Sequence, residues 1–361
     1  MAAAGAASNV ILSPFSASAA LTMIDVGAAG ATDTQIQSVL HLPGNGASVA
    51  PAYAAVACQD ETDAAWGSDV LSIANAVWGQ QGKSFLPAFL SSLSTGFQAP
   101  LEQADFAGDP GGAMSTINQW VSQQTRGTIP TVLQPGDIDD LTRIVLVDAV
   151  YFNGTWATGF DPAQTAPQPF TLADGTTVSV PTMSGNVEVA SGYLSESQLT
   201  TYELAYVGGA LAMDFLVPDG SLASFESTLT PDVLGAALKS LQAPSSGQLS
   251  VPKFSFSTRL VLGSVLSGMG MTDVFNPATA DLSDMDGAKD LYLTTVVQQA
   301  FIEVDEQGTV AAAATVGGGG AFLGAGSEPA AINRPFLFLI RDTKTGSILF
   351  LGHVGDPRQG S

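Results

Sequence analysis

One segment limits the fold of this chain more than any other: RIVLVDAVYF, Arg143–Phe152. Its Ile, Val, Leu, Tyr and Phe residues show no polar alternation and are interrupted only by Asp148 and Ala149, and such a run reads as a strand buried on both faces. It has no side to offer water. The remainder of the chain must cover it, and 361 residues of which 45% are hydrophobic can bury a core of that size in one large domain or two ordinary ones.

Hydrophobic periodicity sets the surrounding elements. A helix entered through Ser13 and Pro14 and closed by Gly27 comes first, followed by a shorter one over Thr34–Leu42. Leu71–Gln80 (LSIANAVWGQ) reads as a buried or half-buried strand, and Met114–Gln124 places Ile117, Trp120 and Val121 on one helical face. From Gln168 to Phe256 short alternating segments separated by DG and GG signals predict meandering antiparallel sheet, with a helix over Pro231–Leu241 inside it. Another helix spans Leu260–Met269, and strands return at Leu291–Val304, Phe336–Arg341 and Ser347–Val354. No linker and no repeat of about 20–50 residues divides the chain. Residues 1–361 therefore read as a single mixed α+β domain.

Several chemistries are disfavoured. The formal charge of −22, from 33 acidic against 11 scattered basic residues, leaves no cationic stripe for nucleic acid, heparin-like polyanions or an anionic membrane. His41 and His353 are the only histidines, no G-x-S-x-G elbow occurs, and Cys58 is the single cysteine, so triad catalysis and Cys/His metal binding are not expected. Neither a cofactor nor a metal is expected, and the chain does not read as an enzyme. The start, MAAAGAASNV, lacks the features of a secretory leader, and no apolar run reaches the ~18 residues of a membrane span. The expected compartment is secreted or extracellular, with the cytoplasm left open because one cysteine decides nothing. Few lysines beside abundant Ala and Gly suggest a GC-rich, bacterial source.

The stretch Glu306–Gly326, EQGTVAAAATVGGGGAFLGAG, carries no charge after its first residue and lies between strand-like segments. Composition alone would make it a disordered Ala/Gly insertion, yet structureless connections longer than about 12–15 residues are uncommon inside compact domains. Its neighbours give it meaning. NVILSPFSASAALTMIDVGAAGATDTQIQSVL, INQWVSQQTRGTIPTVL, LTRIVLVDAVYFNGTW, VPKFSFSTRLVLGSVLSGMGMTDVF, FIEVDEQGTVAAAAT and NRPFLFLIRDTKTGSILFLGHVGDP stand in an order and spacing that resemble the serpin family of protease inhibitors, from about Asn9 to Pro357.

The resemblance implies three β-sheets wrapped by about eight helices, with residues 306–331 as an exposed reactive loop. It implies a monomer that inhibits chymotrypsin-like or subtilisin-like serine proteases as a suicide substrate. The protease forms an acyl-enzyme with the loop and cuts it, and the loop then enters the large sheet and drags the covalently bound protease away. Family spacing puts the scissile bond at Phe322-Leu323 and the hinge at Glu306, Gly308, Thr309, Val310, Ala311, Ala312, Ala313, Ala314 and Thr315. Small uncharged residues suit a segment that must be tolerable both in water and in a crowded interior; Thr309, Ala311, Ala313 and Thr315 would share one strand face, and Gly308 would lend the hinge backbone freedom. About 14 inserted residues at a net ~1 kcal/mol per ladder bond would release on the order of 10 kcal/mol and carry the cut end roughly 50 Å.

Ser13 and Ser16 match family positions beneath the point where the large sheet opens, Asp148 and Gln298 stand where the family usually has Asn and His, and Trp156 matches the Trp near the loop's entry. The family's long N-terminal helix has no counterpart in the eight residues before Asn9, so that helix is expected to be missing or truncated. The alternative is a non-inhibitory member acting as a carrier, chaperone or storage protein.

Overall fold

The computed structural model describes residues 5, 7–66, 69–99, 101–309 and 330–360. After strand β1 (Asn9–Leu12) the first helix, α1 (Pro14–Asp25), starts where expected: the Ser13 hydroxyl accepts the Ser16 N–H, and Pro14, lacking an N–H, occupies the first turn at no cost. Helices α2 (Gly30–Leu40) and α3 (Gly46–Trp66), strand β2 (Val70–Gln80), helix α4 (Pro87–Gly96), strand β3 (Leu101–Ala104), helix α5 (Pro110–Gln124) and strand β4 (Ile144–Thr155) follow. The meander comprises β5 (Ala166–Thr171), β6 (Thr177–Leu194), β7 (Leu199–Ala205) and β8 (Leu211–Pro218), then α6 (Leu222–Thr228), α7 (Pro231–Lys239) and β9 (Ser245–Pro252). The chain continues through β10 (Phe254–Val261), α8 (Gly263–Gly268), the single-turn α9 (Ser283–Asp286), β11 (Leu293–Val304), β12 (Gly308–Thr309), β13 (Ala330–Ala331), β14 (Phe336–Asp342) and β15 (Ile348–Val354).

Two hydrogen-bonded networks result. One is six-stranded, in the order β10-β11-β12-β4-β2-β3, with β11 also pairing directly to β4. The other runs β1-β15-β14-β8-β7-β6-β9-β13, with β5 on β6. The long strand β6 changes partner within it, since Thr182–Val189 pairs with β9 and Ala190–Leu194 with β7. Divided at that point, the second network is two sheets, which makes three in all as expected. Nine α-helices lie among the described residues, one more than the expected eight.

Strand β4 is the axis of the packing. Its residues Ile144–Phe152 are all buried. Ile117 and Val121 of α5 cluster with Val145, Val147 and Ala149, while Ile144 and Leu146 join Leu21 and Ile24 of α1 and Phe89 of α4. Val150 and Phe152 reach the larger network and pack with Phe215, Phe338 and Phe350. Each such side chain contributes about 1.5–3 kcal/mol by leaving water. The predicted two-sided burial is thus met by α5 on one face of β4 and by α1, α4 and the larger network on the other.

Two differences from the sequence reading stand out. Helix α2 begins at Gly30 rather than Thr34 and stops one residue before His41, whose left-handed backbone (φ 54°) ends it. Helices α3 and α4 occur where periodicity marked none. Alanines in α3 spread small side chains round the helix instead of forming an apolar stripe, so it has no strong period to read.

Candidate functional site

The site is a slot between β4 and β11. These strands run parallel and pair from Leu293–Ala300 of β11 to Ile144–Val150 of β4, and then they separate. The separated end is occupied. After β11 the chain turns at Asp305, whose carboxylate accepts the N–H groups of Gln307 (2.8 Å) and Gly308 (3.2 Å), and returns as β12. Thr309 pairs with Val304 of β11 on one side and Gly154 of β4 on the other, antiparallel to both.

Gly308 is required by close approach. Its backbone is nearly extended, and a Cβ there would come within 1.9 Å of the Gly154 carbonyl oxygen. The absent side chain lets two backbones lie against each other, a steric reason in addition to the hinge freedom read from sequence.

Thr309 is buried, and its Oγ1 lies 2.7 Å from the Tyr206 hydroxyl. Tyr206 stacks on Trp156 with ring centroids 4.7 Å apart and planes 14° from parallel. Burial pushes the Tyr206 phenol well above its usual range, so it remains a neutral partner for the Thr hydroxyl. Trp156 clamps the return of the chain twice, its backbone N–H donating to the Gln307 carbonyl (2.8 Å) and its Nε1 to the Asp305 carbonyl (3.0 Å).

Glu306 anchors the turn from the other side. Its carboxylate accepts Lys253 Nζ at 2.7 Å and the Thr165 hydroxyl at 2.6 Å. Burial pushes this carboxyl up, but Lys253 and Thr165 together hold it below the ordinary range, so it is ionised at neutral pH. Beside the same end of β4, Asp69 accepts the Thr155 N–H at 3.0 Å, and burial pushes its carboxyl up to about 7.

The paired end of the slot is closed differently. Asp148 and Gln298 face each other in register across β4 and β11, and Gln298 Nε2 donates to the Asp148 carboxyl. Ser16 Oγ lies 2.6 Å from the other Asp148 oxygen and 2.9 Å from Asn75 Oδ1. Gln298 also takes the Ser13 N–H at 3.0 Å and gives its amide to the Ser13 carbonyl at 2.9 Å. Ser13, Ser16, Asp148 and Gln298 are therefore one network tying α1 to both strands. Burial pushes Asp148 up to about 7, against the pull of the Ser16 and Gln298 hydrogen bonds.

Sequence reasoning missed Tyr206, Lys253, Thr165 and Asn75. Only Asn75 left a signal, as an amide inside an otherwise apolar strand. Of the sequence-derived residues, Val310, Ala311, Ala312, Ala313, Ala314, Thr315, Phe322 and Leu323 lie outside the described residues. The histidines are structural: His41 ends α2, and buried His353 pairs through Nδ1 with Glu226 at 2.6 Å.

Residues 1–357 match the family described as serpin (serine protease inhibitor). The leukocyte elastase inhibitor of Xenopus tropicalis is 37% identical over 358 residues, covering 98% of this chain and 94% of that one. Leukocyte elastase inhibitor A of Rattus norvegicus is 35% identical over 357 residues, covering 97% and 93%. Native protease nexin-1, solved with heparin, superposes with a TM-score of 0.85 at 30% identity over 97% of this chain and 93% of that chain. With the slot, the returning strand and these likenesses together, the chain belongs to the serpin family of serine protease inhibitors.

Proposed function

We propose that this serpin inhibits serine endopeptidases as a suicide substrate, through cleavage at Phe322-Leu323. The protease serine attacks the Phe322 carbonyl, Leu323 leaves with a new amino terminus, and Phe322 stays on the enzyme as an ester. The residues after Thr309 then follow it into the slot between β4 and β11, and the displaced enzyme loses the alignment that hydrolysis of the ester needs. The protein is consumed in the process and is no catalyst. It needs no cofactor and acts as a monomer.

The observation that carries this reading is the seat of β12, two residues of the hinge already hydrogen-bonded between the strands that would admit the rest. Insertion exchanges one parallel interface for two antiparallel ones, which are more numerous and slightly stronger per residue. That is a downhill direction. The segment Gly308–Thr315 contains no bulky, charged or proline residue, which favours inhibition over the carrier, chaperone or storage role.

Phe322 suits a deep apolar pocket of the chymotrypsin or subtilisin kind. The names of the relatives make leukocyte elastase a further target to test, and cutting at Ala321-Phe322 or Leu323-Gly324 would fit it. Heparin accompanies the protease nexin-1 structure, whereas the acidic surface and scattered basic residues of this chain argue against it as a partner here. The test is to mix the protein with chymotrypsin, subtilisin or elastase, look for an adduct stable on a denaturing gel, and sequence the released peptide. An adduct with a peptide starting at Leu323 supports the proposal. Cleavage without an adduct or a gain in thermal stability supports the non-inhibitory role.

A further inference from the structure

Entry of a strand between β4 and β11 must break the link between the Asp148 and Gln298 side chains, which oppose each other in register. Asp148 is only 1% exposed. All of its hydrogen-bond partners are neutral: the Ser16 hydroxyl at 2.6 Å and the Gln298 amide, which are held in turn by Asn75 and by the Ser13 backbone.

Every element packed around it repeats that pattern. From α1 come Ser13 and Ser16, from β2 Asn75, from β11 Gln298, and α5 covers the far face of β4 with Ile117 and Val121. Two ionisable groups stand on that side, Tyr53 and the exposed Glu61 of α3, which line with Asn75 a cavity of about 180 Å³. Among the described residues no cation balances Asp148. An ionised carboxylate held by neutral donors alone is costly to bury.

We propose that Asp148 is a positioning residue whose proton locks the slot: the neutral carboxyl keeps β4 and β11 together, and its loss to solvent loosens them so that a strand can enter. The proposal rests on the insertion reading above. In the closed slot burial pushes the carboxyl up to about 7; in the opened slot water reaches it and restores the ordinary range near 4. Opening therefore releases one proton to solvent. The closed state is favoured most below about pH 4, and that advantage is lost as pH rises through about 7, by at most tenfold per pH unit.

A protease-free assay tests this. An acetylated synthetic peptide of residues 309–321 is annealed to the intact protein between about pH 5 and pH 8, and entry is followed by the rise in thermal midpoint. The rate should climb about tenfold or more across that range. Asp148→Asn, which keeps the shape of the neutral carboxyl, should anneal at a flat rate close to the wild-type value at acid pH. Asp25, Asp69 and Asp214 are also pushed up to about 7, and they titrate in wild type and variant alike. Ser16→Ala removes a donor to the carboxylate and should move the midpoint of the profile to higher pH, whereas a purely structural role would change the rate equally at every pH; this variant decides the matter if Asp148→Asn does not fold. An unaltered pH slope in Asp148→Asn, or a flat wild-type profile with the peptide entering, overturns the lock. A peptide that enters at no pH overturns the insertion reading, and the lock with it.

Discussion

The two ends of the slot are built on opposite principles. At the hinge end β4 and β11 have parted, and the gap holds Gly308 and Thr309, secured by an ion pair (Glu306–Lys253), an aromatic stack (Trp156–Tyr206) and a hydroxyl pair (Tyr206–Thr309). At the α1 end the strands are in contact, and a network without a cation closes them round one buried carboxyl. The difference gives the opening a direction. Separation starts where it has already happened, and it meets Asp148 and Gln298 at the third of the seven paired positions.

The largest effect tests the hinge end directly. Thr309→Arg puts an unpaired charge where the Tyr206 hydroxyl now meets Thr309, a cost of several kcal/mol if the strand stays seated; the expected outcome is complete conversion from inhibitor to substrate, read as loss of the gel-stable adduct with the fold intact by circular dichroism. Ala311→Pro should do the same by removing a ladder donor. A normal adduct from either variant would show that insertion is not the mechanism.

A smaller change breaks the anchor of the turn. Glu306→Ala leaves Lys253 and Thr165 without their acceptor and should lower stability by about 2 kcal/mol, seen as an earlier midpoint in denaturant. Smaller still, Tyr206→Phe keeps the ring against Trp156 and deletes one hydroxyl, a loss of about 1 kcal/mol. If the seat of Thr309 starts insertion, more of the inhibitor should be cleaved unproductively, and the number of molecules consumed per protease should rise with little change in thermal midpoint. An unchanged stoichiometry would reduce the hydroxyl pair to a structural detail.

The smallest expected effect concerns late insertion. Glycines at 317–320 weaken a strand, each by about 0.5–1 kcal/mol relative to Ala, so some wild-type protein should be lost as ordinary substrate. Gly318→Ala should bring the stoichiometry closer to one. A wild-type value already near one would mean that the protease is trapped before those glycines matter.

What could be read in advance follows the range of the interactions. Strand β4, the start of α1 at Ser13 and Pro14, and the small-residue hinge are local patterns, legible from period, capping and composition. Lys253 and Thr165 are 53 and 141 residues from Glu306, and Tyr206 is 103 from Thr309. No period links such positions. The two-residue strand β12 is too short to show alternation, and Ala-rich α3 has no stripe. Asp148 was visible as a polar residue in an apolar run, but its preference for the neutral form comes from burial, against the pull of Ser16 and Gln298, and that burial is made by elements far away in sequence.

The seating of Gly308 and Thr309 also settles alignment before any bond is cut. A strand entering a sheet blind could slip by one residue and present every side chain to the wrong face; here the first rung is already in place, and each later residue has one address. Lengthening the segment beyond Thr309 by a residue would leave every earlier partner unchanged and carry the cut end about 3.4 Å farther. Reach and alignment are thereby separate properties, and the first can vary without disturbing the second.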